Sequence, residues 1–185
     1  MAVFINDDWE LDTKTGVIST NKKPIAEVFG ATDFNTDNEQ AMTHAKIIKA
    51  APKMYCTLKA LSAKKTQIQR VSALINKADE IVKEVEGVEA ETYLITRGKW
   101  YIRGEEGDDW INPNYGIYSD SDGLTYIVGY VTRRGTEEGL ANAKLIAAAP
   151  EMYEFLCAFL DDKEISKEDA KKLLARINGT ENDNS

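Results

Sequence analysis

One segment of this chain occurs twice. Residues 45–58 and residues 143–156 are identical at nine of 14 aligned positions, and each copy contains a proline, Pro52 or Pro150. About one identity is expected by chance at ordinary composition. A proline inside a helical pattern bends or restarts the helix, because it lacks an N–H group and clashes with the preceding turn. The repeat therefore predicts two copies of one structural unit, each with a helix bent at its proline.

Short β-prone runs separated by turn-forming residues precede each copy of the repeat. They occupy residues 9–12, 16–20 and 24–29 before the first copy, and fall within 91–103, 115–119 and 124–132 before the second. We therefore predict an α+β protein with two tandem β-meander–bent-helix units in a pseudo-twofold arrangement.

A third helical segment separates the two units. Its apolar residues follow a spacing of three and four, typical of a packed helix seam: Ile68, Val71, Ile75, Ala78, Val82 and Val85. The seam is short for a free coiled coil, so packing within the chain is favoured and dimerisation stays open. The predicted divisions are a first unit over 1–63, a bridging helix over 64–88, a second unit over 89–162, and a short helix with a disordered tail over 163–185.

The composition narrows the classes of partner. The chain has 185 residues, a net charge of −8 and 43% hydrophobic residues, enough for a real core. Binding of DNA or RNA along the backbone needs clustered Lys and Arg, so a nucleic-acid polymer is not expected. A local basic pocket for a small phosphorylated ligand remains compatible with this charge. So does an acidic surface that occupies a basic groove on another protein.

The chain carries the pattern of a cytoplasmic protein. The apolar stretch near the start is interrupted at once by Asn6, Asp7 and Asp8, and no apolar run approaches the length of a membrane span. Cys56 and Cys157 lie far apart in helical patterns, which is typical of small apolar residues in a reducing compartment rather than of a disulfide. No membrane association is expected.

Catalytic and metal-binding patterns are weak. His44 is the one histidine, and Asn142 stands at its place in the second copy, so we expect either a helix-surface residue or a polar ligand contact. The turn at 120–123 begins like a calcium loop, but Val131 stands where that loop needs a glutamate. We interpret the acidic pair Asp108 and Asp109 as part of a solvent-exposed loop rather than as an acid–base or metal site. We expect no enzyme activity, no metal and no cofactor.

One basic and aromatic concentration stands out in this acidic chain. Aromatic planes and guanidinium groups suit base stacking and phosphate contact. The candidate ligand-binding residues are Arg97, Trp100, Tyr101, Arg103, Arg133 and Arg134. The alternative is a half-buried strand whose exposed positions alternate with buried ones.

The second copy of the repeat resembles a known phage module. Residues 142–151 read Asn-Ala-Lys-Leu-Ile-Ala-Ala-Ala-Pro-Glu, which is similar to the helix module of many small bacteriophage and prophage accessory proteins. In that family the helix follows a short sheet with an Asp-Gly turn, as at Asp122 and Gly123. The resemblance covers roughly residues 100–160 closely and 7–61 more loosely. The first copy departs from it at His44 and Lys49.

The resemblance implies a class of function without assigning catalytic residues. Small accessory phage proteins often counter host defence from within the host cytoplasm. The leading expectation is a noncatalytic protein that sequesters a small nucleotide signal. The alternative is a protein–protein inhibitor that occupies a host defence effector through an acidic surface, and a hydrolase is the weakest reading. The sequence leaves a homo-oligomer open.

Overall fold

The structure is a computed structural model, and it describes residues 8–21, 23–29, 39–63, 68–86, 99–103, 115–121, 124–132, 136–161 and 166–178. The strands are β1 (Glu10–Asp12), β2 (Val17–Thr20), β3 (Lys23–Val28), β4 (Trp100–Arg103), β5 (Tyr115–Ser121) and β6 (Leu124–Val131). The helices are α1 (Glu39–Ser62), α2 (Ile68–Glu86), α3 (Glu137–Ala147), α4 (Ala149–Leu160) and α5 (Lys167–Ile177).

The six strands form one antiparallel sheet in the order β1-β2-β3-β6-β5-β4. The strands before each copy of the repeat build one half of the sheet, and β3 and β6 join the halves at the centre. The helices α1 and α3 contact the same sheet from the helical layer. The α+β class predicted from the sequence is confirmed.

The strand register has the predicted pseudo-twofold arrangement. At the centre Glu27 pairs with Tyr130. Each half also has an irregular register after an inward-facing isoleucine, between Ile18 and Ser19 in one half and between Ile117 and Tyr118 in the other. Exchanging β1, β2 and β3 with β4, β5 and β6 reproduces the strand order and these irregularities. The pseudo-twofold axis therefore passes through the Glu27–Tyr130 pair.

A glycine permits the close approach of the two central strands. A side-chain Cβ at Gly129 would lie 2.3 Å from the carbonyl oxygen of Glu27, which is much closer than two such atoms approach. Because this oxygen belongs to the backbone of β3, it cannot move aside as a flexible side chain can. Gly129 is thus required by the junction between the two halves of the sheet.

The two copies of the repeat differ at the proline. The first copy lies within α1, which continues as one helix through Pro52. The second copy is interrupted at Ala148, so that α3 ends before it and α4 begins after it. Pro150 therefore lies in the first turn of α4, where the missing N–H costs no helical hydrogen bond. At the predicted bend, the second copy has a break between two helices, whereas the first copy has one unbroken helix.

The core is built from equivalent residues of both copies. The fully buried side chains of α1, α3 and α4 include Ile48, Met54, Leu58, Ile146, Met152 and Leu156. Both methionines that follow the prolines, Met54 and Met152, are fully buried in the core. Tyr153 is also buried, whereas Tyr55 is half-buried and its hydroxyl donates to Asn178 at the end of α5 (2.9 Å).

The bridging helix α2 packs against α1 within the chain. Its buried residues are Ala78, Ile81, Val82 and Val85, whereas Ile75 of the predicted seam is 41% exposed. Glu84 bonds Lys49 and Lys53 of α1, both at 2.9 Å. The sequence predicted Ile75 in the seam, but the structure exposes it; the side chains of Ile68 and Val71, also predicted in the seam, lie outside the described part of the chain. Lys49, which replaces an alanine of the second copy, therefore serves to attach the bridging helix.

The last helix, α5, packs against α1 and is also joined to the second copy of the repeat by an ion pair. Glu151 of α4 corresponds to Lys53 of α1 and pairs with Arg176 of α5. The start of α5 is fixed by a capping box, in which Ser166 accepts from the backbone N–H of Asp169 and the Asp169 carboxylate accepts from the backbone N–H of Ser166. The helix α5 lies in the segment where the sequence predicted a short C-terminal helix, and the predicted disordered tail lies outside the described residues.

Candidate binding face on the second half of the sheet

The structure describes three of the six predicted ligand-binding residues. Trp100, Tyr101 and Arg103 lie on the edge strand β4. The other three, Arg97, Arg133 and Arg134, lie outside the described residues, as does the acidic pair at 108–109.

Trp100 faces the helical layer and not the open side of the sheet. Its side chain is 3% exposed, and its ring meets His44 edge-on with centroids 5.1 Å apart. Successive residues of a strand point to opposite faces, so Tyr101 and Arg103 lie on the other side. The structure therefore brings Tyr101 and Arg103 together and separates Trp100 from them.

His44 is a core residue, and the expectation of a helix-surface position was wrong. It is 7% exposed, and its equivalent in the second copy, Asn142, is 3% exposed. Burial lowers the pKa of His44 to about 4, because the charged imidazolium would lose its hydration. The imidazole is thus neutral near pH 7. The helical pattern alone could not show that Trp100, from the other half of the chain, covers this position.

Two tyrosines and an arginine form a compact cluster on the open side. The rings of Tyr101 and Tyr118 are stacked across the strand pair, with centroids 6.0 Å apart and an interplanar angle of 23°. The guanidinium carbon of Arg103 lies 5.4 Å from the Tyr101 ring centroid and 4.9 Å from that of Tyr118. The Tyr118 ring covers Gly116, where a Cβ would lie 2.5 Å from it. We call Tyr101, Arg103 and Tyr118 the tyrosine–arginine cluster.

A carboxylate holds the cluster in place. The Tyr101 hydroxyl donates to Asp120 (2.9 Å) and accepts from Arg103 (3.1 Å), and Thr125 also donates to Asp120 (2.8 Å). Hydrogen bonds from Thr125 and Tyr101 lower the pKa of Asp120, so this exposed carboxylate is ionised at neutral pH. The sequence did not indicate that Tyr118 and Asp120 belong to this site, because the pairing of Tyr101 with Tyr118 depends on the strand register.

The open side differs between the two halves of the sheet. On β1 the exposed outward residues are Glu10 and Asp12, and the pseudo-twofold axis relates them to Tyr101 and Arg103 on β4. The two edges are about 24 Å apart, because five strand spacings separate them. One edge is thus acidic, and the equivalent edge is aromatic and basic.

Apolar side chains lie between these edges. Ile127 pairs with Tyr118 and is 46% exposed. Phe29 is 45% exposed and meets Tyr130 edge-on, with centroids 5.1 Å apart. Exposed apolar groups that are contiguous with aromatic and charged residues are characteristic of binding surfaces.

The described residues contain no group of His, Cys, Asp and Glu side chains that could hold a metal ion. Within the same ranges, none of the helices combines the length and the apolar character needed to cross a membrane.

Comparison with known proteins places the chain in a family. A family model described as Salmonella phage P22 protein Y8K6 matches residues 88–182. The match covers just over half of the 185 residues and includes β4 to β6 and α3 to α5. No curated protein and no solved structure matches the chain significantly. The phage origin implied by the sequence resemblance is thereby supported, and the chain belongs to the family of Salmonella phage P22 protein Y8K6.

Proposed function

We propose that this chain is a phage accessory protein that counters host antiviral defence by sequestering a small nucleotide signal without chemical conversion. The observation that carries the proposal is the tyrosine–arginine cluster, in which the Arg103 guanidinium lies against two tyrosine rings. Membership of a phage protein family supports the part of the proposal that the chain is a phage accessory protein. The anti-defence role and the nucleotide are the proposed part.

The chemistry of the cluster suits a nucleotide. Every nucleobase has a flat face that can stack on an aromatic ring, and a guanidinium binds phosphate through paired N–H donors. Arg103 uses one donor on the Tyr101 hydroxyl, which leaves further donors of its exposed guanidinium for phosphate. Because Asp120 fixes the Tyr101 hydroxyl, the aromatic plane and the cation are held side by side before a ligand arrives. Arg97, Arg133 and Arg134 remain predicted contributors.

A binding role without catalysis fits the position of the one histidine. His44 is buried in the core beside Trp100, on the side of the sheet opposite the tyrosine–arginine cluster. Burial also keeps its imidazole neutral, so it does not supply an exposed general acid near the cluster. The proposal therefore assigns no bond-breaking step to the residues of this face.

Calorimetry with a panel of linear and cyclic signalling nucleotides tests the proposal. Tyr118→Ala is expected to weaken binding about 5- to 150-fold with little change in salt dependence, because stacking contributes about 1–3 kcal/mol per base. Arg103→Ala is expected to weaken binding and to flatten its salt dependence, because it removes the charge that contacts phosphate.

Lys59→Ala is the matched control, since Lys59 is an exposed cation near the end of α1 and away from the face. It should bind like the wild type. Absence of heat with every nucleotide in the panel would refute sequestration.

A second candidate is an inhibitor that occupies a host defence protein. The observation that favours it is the exposure of Phe29 and Ile127 on the same face as the cluster. Aromatic residues and arginine are enriched at the centres of protein interfaces. In this case a host protein should co-purify with the wild type and be lost with Ile127→Asp, while no nucleotide produces heat.

A further inference from the structure

One register row crosses all six strands on the open side of the sheet. Its successive pairs run from one edge to the other through Asp12, Val17, Glu27, Tyr130, Gly116 and Arg103. The exposed members at the two ends, Asp12 and Arg103, carry opposite charges. The central members, Glu27 and Tyr130, are a carboxylate acceptor and a hydroxyl donor. The row is therefore complementary to itself when it is read in the opposite direction.

We infer that a second copy of this chain binds the open sheet face, with the acidic edge of one copy over the Arg103 edge of its partner. A twofold axis that lies midway between the two sheets and runs parallel to the strands makes this arrangement. It sets Asp12 opposite Arg103 and Glu27 opposite Tyr130, twice each, as an isologous interface requires. Packed sheets lie about 10 Å apart, a separation that an aspartate and an arginine span together once the Arg103 guanidinium turns from the tyrosine rings toward the partner.

Asp12, at the acidic end of the row, can accept further hydrogen bonds from a partner. Asp12 accepts from the backbone N–H of Lys14 (2.9 Å) and from the hydroxyl of Thr15 (3.0 Å). Each carboxylate oxygen offers two lone pairs, so both oxygens retain an acceptor site for a guanidinium. The apolar Phe29 and Ile127 lie on the same face and supply area that becomes buried.

The size of the face sets the expected strength of the dimer. Six strands about 24 Å across and about 17 Å long give roughly 400 Å² per copy. The total is below the usual size of stable interfaces, so the dimer should be weak and should dissociate in the micromolar range or above. The net charge of −8 adds repulsion between copies, which the alignment of opposite edges offsets locally. The inference concerns the ligand-free protein and goes beyond the proposed function, because a nucleotide would compete for Arg103.

Sedimentation over a concentration series, with no nucleotide present, tests the inference. The wild type should shift from monomer to dimer, and added salt should weaken the dimer because it screens the charge pairs. Arg103→Asp should raise the dissociation constant at least about tenfold, because it sets two carboxylates opposite each other. Lys59→Asp makes the same charge change on an exposed part of α1 and should dimerise like the wild type.

Mixing two variants makes the test specific to the proposed pairing. Arg103→Asp and Asp12→Arg each place like charges in their own dimers, whereas a mixture of the two restores both opposite-charge pairs. The mixture should therefore dimerise more strongly than either variant alone. A wild type that stays monomeric, an Arg103→Asp variant that dimerises normally, or a mixture no stronger than its components would overturn the inference. None of these results depends on nucleotide binding, so calorimetry judges the proposed function separately.

Discussion

Truncating Met152 to alanine is expected to lower the free energy of unfolding by about 2–5 kcal/mol, because the change leaves a cavity in a closed core. Met152 is 0% exposed and lies on α4, which packs against α1. Its equivalent in the first copy, Met54, is also 0% exposed, so both copies of the repeat place a methionine in the same core. Urea denaturation of the wild type and the variant measures the difference.

Glu154→Ala provides the control for this measurement. Glu154 is exposed and lies on the same helix, two residues along the chain. Its replacement should change the free energy of unfolding by no more than about 0.5 kcal/mol. A Met152→Ala variant that unfolds at the wild-type urea concentration would contradict the described packing of α4 on α1.

Acid is expected to destabilise the fold through His44, and His44→Asn should remove that contribution. The pKa of His44 is about 4 in the folded chain, against an ordinary value of 6.5. Between these values the unfolded chain binds more protons, so stability falls as pH falls from about 6.5 to about 4. The loss should reach about 2–3 kcal/mol near the lower limit.

Urea denaturation at neutral pH and near pH 4.5 compares the two chains. Asparagine is the chosen replacement because Asn142 occupies the equivalent buried position. The wild type should lose more stability on acidification than His44→Asn, by the amount that His44 contributes. Equal losses in both chains would mean that His44 is protonated as readily in the folded chain as in the unfolded one.

The repeat made the symmetry of the sheet predictable. Two copies of one helix, each preceded by β-prone runs, led to the arrangement in which Glu27 and Tyr130 meet at the pseudo-twofold axis. The regular apolar spacing predicted a helix between the two copies, and α2 (Ile68–Glu86) lies in that segment. The exposure of Ile75 was not predictable, since the length of α2 that α1 covers depends on how the two helices are placed.

The candidate site was only partly predictable, for reasons of strand orientation and register. Trp100 and Tyr101 are adjacent aromatic residues, and the sequence does not say which of them faces the helices. Tyr118 joins Tyr101 only because β5 pairs with β4 in one register. Asp120 then follows at hydrogen-bonding distance from Tyr101. These contacts link residues from separate strands, which composition and spacing within one segment cannot reveal.

The most direct test of the proposed function is to identify what the protein releases. The purified chain is mixed with the nucleotide panel, freed of unbound nucleotide and denatured by heat, and the released molecules are weighed by mass spectrometry. We predict that the wild type releases a nucleotide of unchanged mass and that Arg103→Ala releases little of it. Release of a new product would contradict sequestration in favour of catalysis. Release of no nucleotide at all would contradict the nucleotide site itself.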